Sequence, residues 1–469
     1  MIDLSQIVKA YDVRGIVGEQ LTTEVAAALG TAFVQVTGAT RLTAAHDMRD
    51  SGPELLAAFA AGATSQGADV VNIGLASTDM LYFASGHLDL PGAMFTASHN
   101  PAAYNGIKLC RAGAVPVGSE TGLVEIRQLA QGYLESGLLT PAGLRTSGSS
   151  KPVERPGSIS ERSLLTEYAE YLRGLVDLRE IRPLKVVVDA GNGMGGYTVP
   201  AVLGDAVLPG LPLEIVPLYF ELDGTFPNHE ANPLDPKNLV DLQAAVVEHG
   251  ADLGLAFDGD ADRCFVVDAD GHPVSPSAIT GLVAVRELAK APGAPIIHNL
   301  ITSRAVPEII AEHGGTPVRT RVGHSYIKAE MAASGAVFGG EHSAHYYFRD
   351  FWRADTGMLA AMHVLAALGE QSRPLAELTA EYERYVASGE INSEVADQAA
   401  KVEQIRQHFA DRTESVDELD GLTVSLTGGA WLNVRASNTE PLLRLNVEAA
   451  DAASMAALRD EALGVIRGD

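Results

Sequence analysis

The sequence predicts an α/β protein: three mixed α/β-sheet domains followed by a smaller C-terminal α+β domain. Three observations lead there. Short β-like runs alternate with longer Ala/Leu-rich runs of helical period, as where PELLAAFAAGATSQG leads into ADVVNIG and NLVDLQAAVVEHG leads into ADLGLAF. That alternation is the mark of α/β units with a largely covered sheet. The chain has 469 residues, against roughly 100–150 for a common domain. Compositional breaks then divide it into domains at 1–150, 151–252, 253–372 and 373–469. No fixed-period repeat relates them.

Taken in order, the opening MIDLSQIVKAYDVRG lacks the basic start and long apolar run of a signal peptide. Cys110 and Cys264 are the only cysteines, too few for a disulfide framework, and a reducing, cytoplasmic setting is expected. Segment 147–157 (SGSSKPVERPG) is rich in Ser, Pro and Gly and reads as a linker, with the helical pattern ERSLLTEYAEYLRGLVDL after it. A weaker break lies at Asp252, where a new β-like run begins. Segment 357–369 (GMLAAMHVLAALG) is apolar but short and carries His363; crossing a bilayer takes about 20 apolar residues, so a buried helix is expected. Past a third break at 371–374, EYERYVASGEINSEV and the alternating WLNVRASNTEPLLRLNVEA form the α+β module. With 34 Lys plus Arg against 60 Asp plus Glu the formal charge is −26. Nucleic acid and anionic membrane are excluded as partners, and an anionic ligand must be met by local basic groups.

Four stretches carry chemistry. In Phe95-Thr96-Ala97-Ser98-His99-Asn100-Pro101 the serine could be a hydrolase nucleophile, a helix cap or the carrier of a transferred group. Thr96 and Asn100 stand where a nucleophile elbow needs glycines. His99 is a weak base for Ser98, because neighbours in an extended turn point apart. Asp258, Asp260 and Asp262 alternate in a loop between the apolar runs 253–257 and 264–267. Their carboxylates can converge on one point, where only a cation prevents repulsion. Arg263 and Ala269 stand where an EF-hand loop needs Gly and Glu, so a hard divalent ion such as Mg²⁺, its shell completed by water or phosphate, fits better. Gly191-Asn192-Gly193-Met194-Gly195-Gly196 matches the dinucleotide fingerprint, yet Pro200 follows closely and the acid Glu221 comes late. It reads as a glycine-rich βα turn.

TASHNP and DGDADR together resemble the α-D-phosphohexomutase superfamily, whose members carry a phosphoserine in the first motif and a Mg²⁺ loop in the second. Glu341, Ser343 and His345 in GEHSAH are similar to the family's sugar-binding GE-x-S-G-H. Arg435-Ala436-Ser437-Asn438-Thr439-Glu440-Pro441 is similar to its phosphate loop, and Tyr11-Asp12-Val13-Arg14-Gly15 to its YD-x-RG. The motifs follow family order over nearly the whole chain. His342 replaces the usual Met or Gln and Ala344 the usual Gly. SNTEP resembles the mannose/glucose branch, whereas several dedicated phosphoglucomutases have SGTEP.

The resemblance implies domains set around a central cleft and a phosphoryl group on Ser98. It implies one Mg²⁺ per chain held by Ser98, Asp258, Asp260 and Asp262. Ser98, Lys108, His345 and Arg14 become catalytic candidates. Tyr11, Arg263, His324, Glu341, Ser343, Arg435, Ser437, Asn438 and Thr439 become substrate-binding candidates. The implied reaction interconverts mannose 1-phosphate and mannose 6-phosphate through a hexose 1,6-bisphosphate, with glucose phosphates as further substrates. Phosphoglucomutase, phosphoglucosamine mutase and Mg²⁺-dependent sugar phosphatase are the alternatives. Lys108 and His345 both stand as general acid/base, and a mobile C-terminal domain is expected to close over the reorienting intermediate.

Overall fold

The computed structural model describes residues 2–137, 139–140, 143–144, 155–436 and 442–468. The chain divides into two compact units, Met1–Val274 with Ser343–Ala376, and Ser275–His342 with Glu377–Asp469.

The first unit contains two mixed sheets. In one, the strands run in the order Val13–Ile16, Tyr104–Arg111, Gly92–Phe95, Arg41–His46, Asp69–Leu75, Ile159–Glu161. Gly92–Phe95, Arg41–His46 and Asp69–Leu75 are parallel, while Tyr104–Arg111 lies antiparallel to both Val13–Ile16 and Gly92–Phe95. Helices Thr23–Thr37 and Gly52–Ser65 cross so tightly that a Cβ on Gly30 would come 2.1 Å from the Phe59 carbonyl oxygen, and one on Gly62 2.1 Å from that of Ala27. Phe33, Phe59, Phe95 and Ile107 are buried in the core beneath them. Expected helix and strand thus appear where PELLAAFAAGATSQG and ADVVNIG stand.

The second sheet orders as Leu213–Leu218, Leu184–Asp189, Leu253–Phe257, Cys264–Asp268, Pro273–Val274. Here the structure departs from the expected boundary at Asp252. Leu253–Phe257 pairs in parallel with Leu184–Asp189, so the break is only the turn between helix Val240–His249 and its strand. The aspartate loop therefore belongs to the sheet of 184–218, not to the segment after it. The unit also holds a hairpin of Tyr346–Phe348 with Ala354–Asp355, then helix Gly357–Gly369, in which every residue but Ala367 is buried. No helix among the described residues is long and apolar enough to cross a membrane.

In the second unit, Pro295–Asn299 pairs in parallel with Thr316–Thr320 and with Phe338–Gly340. An antiparallel sheet of Val386–Ala387, Leu442–Ala449, Trp431–Ala436, Leu422–Leu426 and Thr413–Asp417 is covered by helices Gln398–His408 and Ala452–Arg467. This is the α+β module expected after Pro374. Most of the linker expected at 147–157 lies outside the described residues.

Candidate active site

Ser98 follows a strand, Gly92–Phe95, that is buried throughout. Its φ of 49° is left-handed, an uncommon conformation for a side chain larger than glycine's, held by the surroundings. The Thr96 hydroxyl accepts from the Ser98 amide at 2.9 Å. Arg49 does more: Nη2 donates to the carbonyls of Ser98 (3.0 Å) and Asn100 (2.6 Å), and Nη1 to those of Pro101 (3.0 Å) and Tyr104 (2.9 Å). One buried guanidinium thus fixes the whole turn.

The left-handed turn overturns the expectation for His99. Its Nδ1 lies 3.2 Å from Ser98 Oγ, because the extended alternation that would separate the two side chains is broken at Ser98. It is nonetheless a poor base: Arg263 Nη2 donates to the same Nδ1 at 2.6 Å. Burial, then the Arg263 charge, hold the imidazole well below its usual pKa and so neutral.

The aspartate loop meets Ser98 directly. Ser98 Oγ donates to Asp258 Oδ2 at 2.9 Å, and Arg263 Nε donates to the same oxygen at 2.9 Å. Lys108 Nζ lies 2.7 Å from Asp260 Oδ2 and 2.6 Å from Asp262 Oδ2. Thr78 donates its hydroxyl to Asp260 Oδ2 at 2.5 Å and its amide to the Asp260 carbonyl at 3.0 Å. Two glycines make the approach possible. A Cβ on Gly259 would come 2.5 Å from the Ser98 carbonyl oxygen, and one on Gly193 would come 2.7 Å from that of Gly259. The glycine-rich turn at 191–196 is the expected βα turn, and it backs the aspartate loop, with the Met194 amide donating to the Gly259 carbonyl at 2.9 Å.

Asp258, Asp260 and Asp262 each offer a buried carboxylate oxygen within 4.8 Å of the others. Oδ1 of Asp260 and Oδ1 of Asp262 are buried without a hydrogen bond, leaving acceptors for a cation. These residues fit a hard divalent ion completed by an oxygen on Ser98. Burial pushes the Asp258 carboxyl up to about 7, against the pull of Arg263. Burial alone would raise Asp260 as well, but Lys108 outweighs it and holds that carboxyl far below the usual range. By the reverse balance, Lys108 is held well above an ordinary lysine by Asp260 and Asp262. It is a fixed, mostly buried cation.

Arg14 comes to the Ser98 turn through the pairing of its strand with Tyr104–Arg111. Nη1 donates to the Ala97 carbonyl at 3.1 Å and to Asn100 Oδ1, while Asp12 accepts from Nε at 2.8 Å. Tyr11 is half-buried beside Asp12. His345 arrives by a backbone bridge to Arg263. Its Nδ1 lies 3.1 Å from Asp355 Oδ2 and 3.9 Å from Asp262 Oδ1. Ser343, half-buried, belongs to this unit too.

The second unit carries the other candidates. Glu341 is buried, its Oε2 accepting from Asn299 Nδ2 at 3.2 Å. Arg435, at the end of Trp431–Ala436, donates from Nη2 to Glu390 Oε2 at 2.5 Å. Ser437, Asn438 and Thr439 lie outside the described residues, as does the His324 side chain at the start of helix His324–Ser334. Sequence reading passed over Arg49, Thr78 and Asp79. Their place gives only a weak pointer: each stands a few residues past the end of a parallel strand, where ligand sites of α/β sheets gather, and nothing local names a partner.

A serine hydroxyl against an acidic loop that could hold a cation, flanked by Lys108, Arg14 and Arg263 on α/β domains, has the parts that phosphoryl transfer needs. Family models match in four pieces: "Phosphoglucomutase/phosphomannomutase, alpha/beta/alpha domain I" over 5–135, domain II over 166–271, domain III over 275–385, and the "C-terminal domain" over 390–465. The chain belongs to the phosphoglucomutase/phosphomannomutase family and is an isomerase of the phosphohexomutase type. It is 40% identical over 442 residues to a phosphomannomutase of Salmonella typhimurium, covering 94% of each chain. It is 39% identical to a protein of Xanthomonas campestris named phosphohexose mutases, covering 98% of this chain and 99% of the other. A family protein solved from Burkholderia thailandensis superposes with a TM-score of 0.85 at 32% identity, covering 100% of this chain and 99% of that one.

Proposed function

We propose that the chain is a phosphomannomutase, interconverting mannose 1-phosphate and mannose 6-phosphate through a hexose 1,6-bisphosphate and acting on glucose phosphates as well. The observation that carries this is Ser98 Oγ at 2.9 Å from Asp258, with Lys108 set on the neighbouring carboxylates at 2.7 and 2.6 Å. The relatives named for mannose and hexose phosphates support the substrate class.

Asp258, Asp260, Asp262 and Ser98 would hold Mg²⁺, which when bound offsets the negative charge of the transferring phosphoryl group. The chain's own residues do the rest. In the donating step the bond from Ser98 Oγ to phosphorus breaks while a sugar hydroxyl oxygen bonds the phosphorus; the sugar hydroxyl gives its proton to a base, and the freed Ser98 Oγ takes up a proton to become again the hydroxyl that donates to Asp258. Lys108 and Arg263 stabilise charge on the transferring oxygens. The proton is assigned to His345, whose ring Asp355 steadies through Nδ1. Arg14 holds the turn carrying Ser98. Glu341 accepts from sugar hydroxyls, and Arg435 with the loop after it receives the remote phosphate. The bisphosphate must turn over to offer its other phosphate to Ser98.

The test is turnover of mannose 1-phosphate, and separately of glucose 1-phosphate, with Mg²⁺ and a hexose 1,6-bisphosphate. Isomerisation without release of inorganic phosphate is expected. Phosphate released in step with substrate loss would make the chain a sugar phosphatase instead.

A further inference from the structure

Next in the chain to Thr78, which bonds Asp260, stands a buried carboxylate that the reaction does not use. Asp79 stands in the first turn of helix Thr78–Leu88 and is only 1% exposed. Three hydroxyls point at it. Ser77, the helix N-cap, donates to Oδ1, while Tyr168 and Thr356 each donate to Oδ2 at 2.7 Å. All three donors are buried. The donors come from three places in the chain: the start of this helix, helix Leu165–Leu175, and the N-cap of helix Gly357–Gly369.

Two of these places adjoin the reacting groups. Thr78, between Ser77 and Asp79, gives both its amide and its hydroxyl to Asp260. Thr356 follows Asp355, the residue that steadies His345. A single carboxylate thus anchors the segment that orients Asp260 and the segment that orients His345. Only an acceptor with lone pairs on both oxygens can take all three hydroxyls at once. Burial, opposed by those hydroxyls, pushes the Asp79 carboxyl up to about 6, so the ionised group is kept at some cost to the fold.

We propose that Asp79 is a positioning residue with two limbs, one running through Ser77 and Thr78 to Asp260 and the other through Thr356 and Asp355 to His345. The inference rests on the proposed roles of Asp260 in holding metal and His345 in taking the proton. The limbs make separable predictions. In Asp79→Asn an amide nitrogen faces Ser77 or the other two hydroxyls, which can then no longer donate to residue 79 and must turn to accept from it, so one limb is loosened. In Thr356→Val the His345 limb is cut, along with the cap that Thr356 gives the Leu359 amide, and Thr356→Ser restores both.

The experiment measures Mg²⁺ binding by titration calorimetry, together with kcat and KM for mannose 1-phosphate, on the full chain and on Asp79→Asn, Ser77→Ala, Thr356→Val and Thr356→Ser. Ser77→Ala is expected to weaken Mg²⁺ about tenfold, in line with the loss of an outer-shell partner of a metal site. Thr356→Val is expected to lower kcat about tenfold with KM and the Mg²⁺ Kd unchanged, and Thr356→Ser to recover most of it. Asp79→Asn should show at least one of these losses. If all four variants keep the parent's kcat and Mg²⁺ Kd within about twofold, whatever their melting temperatures, the inference is overturned. It is overturned too if Thr356→Val weakens Mg²⁺ as much as Ser77→Ala does. A parent chain that neither binds Mg²⁺ nor isomerises would refute the functional reading itself, a result read without any variant.

Discussion

Gly259→Ala is the sharpest perturbation the geometry offers, because it adds one methyl group and removes no polar group. The new Cβ would sit 2.5 Å from the Ser98 carbonyl oxygen, where an ordinary contact needs about 3.4 Å, so Ser98 and the aspartate loop must separate by roughly 0.9 Å. Neither side yields cheaply. The Ser98 carbonyl is held by Arg49 at 3.0 Å, and on the far side Gly193 packs so closely that its own Cβ would come 2.9 Å from Gly259 Cα. Overpacking of this kind costs about 1–3 kcal/mol of stability, and a shift near 1 Å in a reacting group costs on the order of a hundredfold in rate. A coupled assay of mannose 6-phosphate formation, with thermal unfolding run in parallel, reads both. The expected variant is folded, slightly less stable and about a hundredfold slower in kcat. A Gly259→Ala chain with kcat within threefold of the parent would refute the claim that Ser98 and the aspartate loop work in contact.

Four further outcomes are expected. Ser98→Ala should lose turnover while still binding a hexose phosphate, as measured by calorimetry. Lys108→Ala leaves Asp260 and Asp262 without their buried cation, a loss of roughly 3–5 kcal/mol in the metal-free chain. Its melting temperature should therefore rise with Mg²⁺ much more than the parent's; equal rises would show that Lys108 is no counter-charge. Arg49→Lys keeps the charge but cannot reach four carbonyls at once, and should lower kcat with little change in circular dichroism. Asp79 sets a pH dependence. Its folded pKa, about 6, lies above the ordinary 3.8, so its contribution to stability is fully present below pH 3.8 and is lost as pH rises through about 6. Relative to Asp79→Asn, the parent should lose about 3 kcal/mol across that window in urea unfolding. A difference that stays flat with pH would remove the burial argument.

The parts of the site that were legible in the sequence are those whose chemistry needs neighbours in one loop. Asp258, Asp260 and Asp262 alternate because a cation requires convergent oxygens, and that pattern shows in a string of letters. Ser98 was legible only beside them, since a lone serine before a proline-containing turn has several uses. Arg49 and Asp79 were not legible, because their partners lie far away in the chain: Arg49 closes on carbonyls up to Tyr104, and Asp79 on Thr356. Lys108 became a candidate only through the family resemblance, because the carboxylates it pairs with lie more than a hundred residues on. The false boundary at Asp252 has a similar cause. A parallel sheet joins strands across intervening helices, so a true turn between helix and strand imitates the end of a domain.

The most direct test of the central claim is peptide mass spectrometry of the purified chain before and after incubation with mannose 1-phosphate. A single phosphoryl group on the peptide containing Ser98, lost to the sugar with formation of a hexose bisphosphate and regained as isomer accumulates, is the result this account predicts. Full isomerase activity in a chain that never carries phosphate on Ser98 would contradict it.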